Sequence, residues 1–202
     1  DKTVCLEYSE EDDIMYVGTH GKGFSLIDAA NREVLRTWSD NENKWISTLH
    51  IDQSGLLWVG TYNGPMAYDN RVRRLLHYDI NDELSTRVYS FCEDSEGHLW
   101  IGTGEGIVCF DRAAKTTVSY TESDGLPSNT VTGILATEDG NIWISTLNGL
   151  SRHCIKTGEF QNYYHHDGLQ ENEFHVNAAL KDTHGKLWFG GIKGVTSFFP
   201  HI

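Results

Sequence analysis

Hydrophobic and polar positions alternate along this chain in short runs, with aspartate and glycine between them. One run recurs: IMYVG from Ile14, LWVGT from Leu57, LWIGT from Leu99, IWIST from Ile142 and LWFGG from Leu187. In an extended strand, Leu99 and Ile101 point to one face while Trp100 and Gly102 point to the other. Both faces are apolar or small, so the run predicts a strand buried on both sides. Ahead of it stands a strand of the form Val/Ile-x-x-hydrophobic, at Ile46 to Leu49, Val88 to Phe91, Val131 to Ile134 and Val176 to Ala179. An Asp-x-x-Gly turn joins the two, at Asp52 to Gly55, Asp94 to Gly97 and Asp182 to Gly185; the fourth unit reads as a shortened turn, Glu138-Asp139-Gly140. The aspartate side chain suits backbone N–H groups and the glycine supplies positive φ. After the buried run, Lys22-Gly23, Asn63-Gly64, Glu105-Gly106, Asn148-Gly149 and Lys193-Gly194 read as two-residue hairpins of the primed type. A third strand follows, and then a more polar fourth one ending in an aromatic: Trp38, Tyr78, Tyr120 or Tyr163.

The aromatic anchors Tyr16, Trp58, Trp100, Trp143 and Trp188 repeat every ~40–45 residues, and four strands at that period are the mark of a propeller blade. The expected fold is all-β, a β-propeller fragment of about five four-stranded blades, the last lacking its outer strand. The blades fall at about 1–40, 41–82, 83–125, 126–168 and 169–202. Propellers close with ~4–8 blades, so the chain reads as the C-terminal part of a longer propeller. The free strand edges of its end blades predict a homodimer or a domain swap.

Composition narrows the function. Residues of the hydrophobic class make up 39% and aromatics 11%, enough for a packed core. No apolar run reaches the ~20 residues of a membrane helix. A formal charge of −13 argues against nucleic acid and anionic membrane as partners. Cys5, Cys92, Cys109 and Cys154 form no CxxC pair and match no zinc spacing, so they read as buried or half-buried thiols. Gly102 to Gly106 resembles a phosphate loop by composition alone. A strand follows it where a phosphate site needs a helix.

The segment DGLPSNTVTGILATEDGNIWISTLNGLSRHCIKTGEFQNY, Asp124 to Tyr163, resembles the two-component regulator propeller repeat, and LQENEFHVNAALKDTHGKLWFGGIKGVTSFFP, Leu169 to Pro200, is similar to that family's last blade. Ser145 stands where the family has glycine and Gly191 where it has threonine. Pro65-Met66 replaces Gly-Leu, and the linkers Ser39 to Trp45 and Asp79 to Thr86 lack the D-G-L-P pattern. The resemblance implies a periplasmic sensor region of a hybrid histidine kinase of the Bacteroidetes type, responding to oligosaccharides and doing no chemistry itself. It also implies further blades, an adjoining immunoglobulin-like domain and attachment to the membrane only through the full-length protein. No cofactor is implied.

In a propeller the turns between second and third strands share one end with the interblade loops. That end would carry His20, Lys22, Tyr62, Asn63, Glu105, Asn148 and Lys193 from the turns, and Trp45, Asn129 and Asn172 from the loops. Aromatic faces stack on sugar rings, and amides and carboxylates bond hydroxyls. Ordinary turn chemistry accounts equally for Asn63 and Asn148 before glycine. His165, His166, Asp167 and His175 lack metal spacing. Two other classes remain: an interaction scaffold, and a propeller lyase of the streptogramin-inactivating kind, for which His20 and Glu105 are the candidate pair.

Overall fold

The computed structural model describes residues 2–39, 42–76, 78, 80, 84 and 86–200. The described chain is all-β, built as five propeller blades, and divides into two compact units, Asp1–Val88 and Tyr89–Ile202. The first unit holds two antiparallel sheets in meander order. One is β1 (Lys2–Ser9), β2 (Ile14–His20), β3 (Phe24–Asp28) and β4 (Glu33–Trp38); the other is β5 (Ile46–Ile51), β6 (Leu57–Thr61), β7 (Gly64–Asp69) and β8 (Arg74–Leu76). Among the described residues β8 covers Arg74–Leu76; Tyr78, expected at the end of this strand, is described outside it, with its ring 5.1 Å from Trp58.

β9 (Val88–Glu93) begins at the last residue of the first unit and continues into the second, where β10 (Leu99–Thr103), β11 (Ile107–Asp111) and β12 (Thr116–Tyr120) complete its sheet in the order β9-β10-β11-β12. The fourth blade is β13 (Val131–Ala136), β14 (Asn141–Thr146), β15 (Gly149–Cys154) and β16 (Phe160–Tyr163). The fifth sheet has three strands among the described residues: β17 (Phe174–Lys181), β18 (Leu187–Gly191) and β19 (Gly194–Phe198).

The second strands β6 and β10 are buried at every position, as expected of strands covered on both faces. The first and second blades meet first strand to first strand, β1 beside β5, and so do the fourth and fifth, β13 beside β17; between the third and fourth, β10 lies beside β13. Gly102 shows how closely: a Cβ there would stand 2.5 Å from Ser90 Oγ and 2.6 Å from Val131 Cγ1 of the next blade. Ser145 breaks that pattern, and its cross-strand partner explains why. In the second blade Thr48 faces Gly60; in the fourth Gly133 faces Ser145. Glycine has moved to the first strand, where a Cβ at Gly133 would meet Ala179 Cβ at 2.8 Å and Ser145 Oγ at 2.9 Å.

The Asp-x-x-Gly turn does more than expected. Asp52 Oδ1 accepts from Ser54 and Leu56 N–H, and its Oδ2 accepts from Trp58 Nε1 at 2.8 Å. Asp94 binds Trp100 Nε1 at 2.9 Å and Asp182 binds Trp188 Nε1 at 2.9 Å in the same way. The aspartate six residues before each of these three tryptophans therefore holds both the turn and the indole. The fourth turn is not shortened. Gly140 N bonds to Thr137 O at 3.1 Å, matching Gly97 N to Asp94 O. Thr137 occupies the aspartate position, and Trp143 Nε1 is buried without a hydrogen-bond partner.

The hairpins between second and third strands are also corrected. Thr61 pairs with Gly64 and Thr146 with Gly149, so the two-residue loops are Tyr62-Asn63 and Leu147-Asn148. Those loop residues have negative φ, while Gly64 (φ 108°) and Gly149 (φ 123°) carry the positive angle after the loop, so the turns are not primed. Threonine holds them: Thr61 Oγ1 accepts from Asn63 N at 2.9 Å and donates to Gly64 O at 2.8 Å. Thr103 and Thr146 repeat both bonds. Gly191 lacks that hydroxyl, and the Gln170 side-chain oxygen accepts from Lys193 N at 2.7 Å in its place.

Candidate functional site

In each unit the second-to-third-strand turns are bonded to an interblade segment, so these two kinds of loop share an end as expected. In the first unit Gly21 N and Gly23 N both donate to Lys44 O, and Tyr62 N donates to Trp45 O. In the second, Leu147 N donates to Thr130 O and Gly149 N to Asn172 O.

The interblade segments of the second unit are built alike. Thr121 to Asn129 and Tyr164 to Asn172 each contain a single 3-10 turn, Glu122–Asp124 or His165–Asp167, closed by a left-handed glycine, Gly125 or Gly168. A leucine follows and is buried: Leu126 is 4% exposed and Leu169 8%. The asparagine then folds back, Asn129 Oδ1 accepting from Glu122 N and Asn172 Oδ1 from His165 N, both at 2.7 Å. Asn129 and Asn172 thus brace their own loops. Asp167 does the same, accepting from Tyr164 N at 2.8 Å, as Asp124 does from Thr121 N. His165 Nδ1 lies 3.1 Å from Leu169 O, and His175 is exposed on β17. Among the described residues no group of histidine, cysteine and carboxylate side chains is arranged to hold a metal.

The remaining candidates of this unit are turn residues. Asn148 Nδ2 reaches Pro127 O at 3.3 Å, and Lys193 Nζ pairs with Glu171 at 2.6 Å, holding that carboxyl below its usual range. Glu105 is exposed on its turn.

The first unit differs. Its segment before Trp45 lacks the D-G-L-P pattern, and four side chains gather instead. Trp45 is 43% exposed, with its ring 5.7 Å from His20 and 6.0 Å from Tyr62. The His20 and Tyr62 rings meet edge to face at 5.8 Å, with Tyr62 Oη 3.4 Å from His20 Nε2. Arg87 Cζ lies 3.9 Å above the Tyr62 ring. Asn63 Nδ2 donates to Glu42 O at 2.6 Å, tying the turn to the segment beside it, and Lys22 is exposed on the neighbouring turn. An isolated backbone bridge between His20 and Trp45 fixes the arrangement. Of the ten sequence candidates, the structure brings His20, Trp45 and Tyr62 together with Asn63 at their side. Arg87 was missed, because a lone arginine before a strand carries no signal of the ring it will cover. Most of the Asp79 to Thr86 linker lies outside the described residues.

The exposed Trp45 ring, the half-buried Tyr62 ring beneath Arg87, an imidazole and a guanidinium are groups of the kind that stack on a ring and bond its substituents. His20 and Glu105, the candidate acid–base pair, fall in different units. The cysteines are free, and burial pushes the thiols of Cys5 and Cys109 up to about 12 and that of Cys92 to about 11, away from nucleophilic use.

The fold and its repeat define the class. The sequence profile of the two component regulator propeller matches residues 82–105 and 125–148, segments that include β9 and β10 of the third blade and β13 and β14 of the fourth. Histidine kinase P4 of Formosa agariphila is 27% identical across 99% of this chain. The chain spans 16% of that kinase's length. The crystal structure of the extracellular domain of a hybrid two component system from B. thetaiotaomicron superposes with a TM-score of 0.87 at 25% identity, covering 98% of this chain and 28% of that one. Virginiamycin B lyase from Staphylococcus aureus shares the fold, with a TM-score of 0.69 at 15% identity, 97% of this chain and 69% of the lyase being covered. No helix among the described residues is long and apolar enough to cross a membrane.

Proposed function

We propose that this chain is part of the periplasmic sensor of a hybrid two-component histidine kinase, and that its first unit takes an oligosaccharide on the surface formed by Trp45, His20, Tyr62 and Arg87. The observation that carries this reading is the exposure of the Trp45 ring, held rigidly by backbone bonds on both sides and flanked by two further rings. Sugar rings offer apolar C–H faces to such a wall and hydroxyls to the imidazole and guanidinium. Extracellular placement of the similar hybrid-system domain supports a location outside the cytoplasm. The chain binds and passes on occupancy; phosphoryl chemistry belongs to the kinase region.

The test is a thermal-shift and calorimetric screen against neutral and acidic oligosaccharides. Binding to the native state raises the melting temperature by mass action. Trp45→Ala is expected to abolish the shift given by the binding sugar while leaving the unliganded melting temperature unchanged. A sugar that binds Trp45→Ala and Tyr62→Ala as well as the parent would place recognition elsewhere.

A further inference from the structure

In the second to fifth blades one residue of the third strand stands opposite the residue before the anchor tryptophan. It is Tyr68 opposite Leu57, Phe110 opposite Leu99, His153 opposite Ile142 and Phe198 opposite Leu187. An aromatic ring fills the position each time, and only at 153 can that ring take up a proton near neutral pH. His153 lies in the seam where the third blade meets the fourth. Its ring stacks at 4.3 Å on Phe160, its register partner on β16, and lies 5.0 Å from Tyr120 of β12 and 5.5 Å from Trp100 of β10. It is 1% exposed, and its Nδ1 is buried without a hydrogen-bond partner. In the next seam Phe198 takes the same place, 4.6 Å from Trp143.

The seam supplies no countercharge for an imidazolium. Cys92, Cys109 and Tyr120 of the third blade border the same apolar cluster as Trp100, Ile142 and Phe160, and burial raises the pKa of all three, keeping them neutral. The carboxylates on the surrounding elements bond elsewhere: Asp94 accepts from Trp100 Nε1 and pairs with His98, Asp124 accepts from Thr121 N, and Glu159 from Thr157 Oγ1. Arg152 and Cys154, the neighbours of His153 on β15, point to the other face of the sheet. Burial holds the pKa of His153 below its ordinary value, opposed by a hydrogen bond to the Glu159 backbone. A protonated ring in this place would carry a second N–H with no acceptor.

The seam is also tied to the interblade segment Thr121 to Asn129. Phe160 packs against Gly125, where a Cβ would stand 3.2 Å from Phe160 Cβ. Beside it, Ser151 Oγ donates to Asn162 Oδ1 at 2.6 Å and Asn162 Nδ2 donates to Gly125 O at 2.8 Å.

We infer that His153 is a proton switch: acid protonates its imidazole, parts the ring from Phe160 and Tyr120, and loosens the interblade segment at Gly125. The proton comes from solvent and goes to Nδ1, after the seam has opened to admit it. The open seam binds that proton with the ordinary histidine pKa of about 6.5, and the closed seam binds it more weakly. The closed form therefore holds above about pH 6.5, and opening grows as the pH falls, by up to ~10-fold per pH unit. This input is independent of the sugar reading of the first unit.

The test follows backbone amide exchange across the whole chain between about pH 5 and 7, corrected for the intrinsic pH dependence of exchange. The amides to watch are Gly125 and Leu126, which bond to Glu122 O and Thr121 O. Their protection is expected to fall by up to ~10-fold per pH unit below about pH 6.5, while the His153 imidazole resonances titrate below that value. His153→Phe, the residue type at 110 and 198, should remove the dependence, and His153→Tyr, the type at 68, serves if the first variant does not fold. An undiminished loss of protection in the variants overturns the inference by assigning the response to the carboxylates or to His98. So does full protection of both amides in the parent at about pH 5, or an imidazole that titrates at or above its ordinary value of about 6.5.

Discussion

The interblade segments of the two units solve one problem in opposite ways. In the second unit, Thr121 to Asn129 and Tyr164 to Asn172 satisfy themselves. A leucine is buried, a glycine turns left-handed, and an asparagine oxygen returns to the segment's own backbone. In the first unit, the segment ending at Trp45 is held by N–H groups of the neighbouring turns, Gly21, Gly23 and Tyr62, and its ring is left facing outward. A self-braced loop has its polar side chains engaged. The loop braced from outside leaves its tryptophan ring for something else. The same asparagine that looks like a sugar ligand in the sequence is a structural strut in one setting, and only the bonding partners tell the two apart.

The largest test of that contrast is truncation. Leu126→Ala should cost about 2–5 kcal/mol, since a buried leucine loses its packing and leaves a cavity. Trp45→Ala should change stability by no more than ~0.5 kcal/mol. Urea midpoints of the two variants measure both; equal losses would mean Trp45 is core.

Acid should separate the seams next. His153 is 1% exposed, and burial holds its pKa below the ordinary value. The unfolded chain therefore takes up the proton first. Its contribution is complete above the unfolded value near 6.5 and falls as pH drops below it, by about 1.4 kcal/mol per pH unit until the folded pKa is reached. His153→Phe, which places in this seam the residue type that Phe198 provides in the next, should flatten the stability profile between about pH 5 and 6.5, above the ordinary range of the carboxylates. An unchanged slope in that variant would assign the acid sensitivity to other groups.

Asn129→Ala should cost about 1 kcal/mol, the loss of one side-chain bond to a turn backbone. It should not alter sugar binding, whereas a direct ligand role would reverse that order. The smallest effect is a gain. Thr137→Asp offers Trp143 Nε1 the acceptor that Trp58, Trp100 and Trp188 already have, and should stabilise by roughly 0.5–1.5 kcal/mol. A loss would show that the fourth turn excludes the carboxylate.

The strand plan was legible because it repeats: five runs in register fix the meander, and burial on both faces of β6 and β10 follows from their lack of any polar face. The fourth turn was misread because Glu138-Asp139-Gly140 looks complete, while the position that matters is set by its distance from Trp143. Counting back six residues from each anchor would have found Asp52, Asp94 and Asp182, and Thr137 as the exception. The hairpins were misread because Asn-Gly signals a primed turn in general, whereas here the preceding threonine hydroxyl engages the turn backbone at both ends. At the candidate site, His20, Trp45 and Tyr62 were legible as loop aromatics that no core repeat accounts for. Their convergence depends on backbone bonds between segments far apart in sequence, which no local pattern encodes.

The exchange of glycine between Gly102 and Gly133 bears on how such a chain can evolve. Each seam needs one residue without a side chain, but the seams do not agree on which strand supplies it. The blades are therefore not interchangeable bricks. A duplication that copied the third unit in place of the fourth would carry its glycine on the second strand and bring a side chain against Ala179. Shuffling of repeats is then confined to neighbours that already fit, and the order of blades becomes part of the inheritance of the fold.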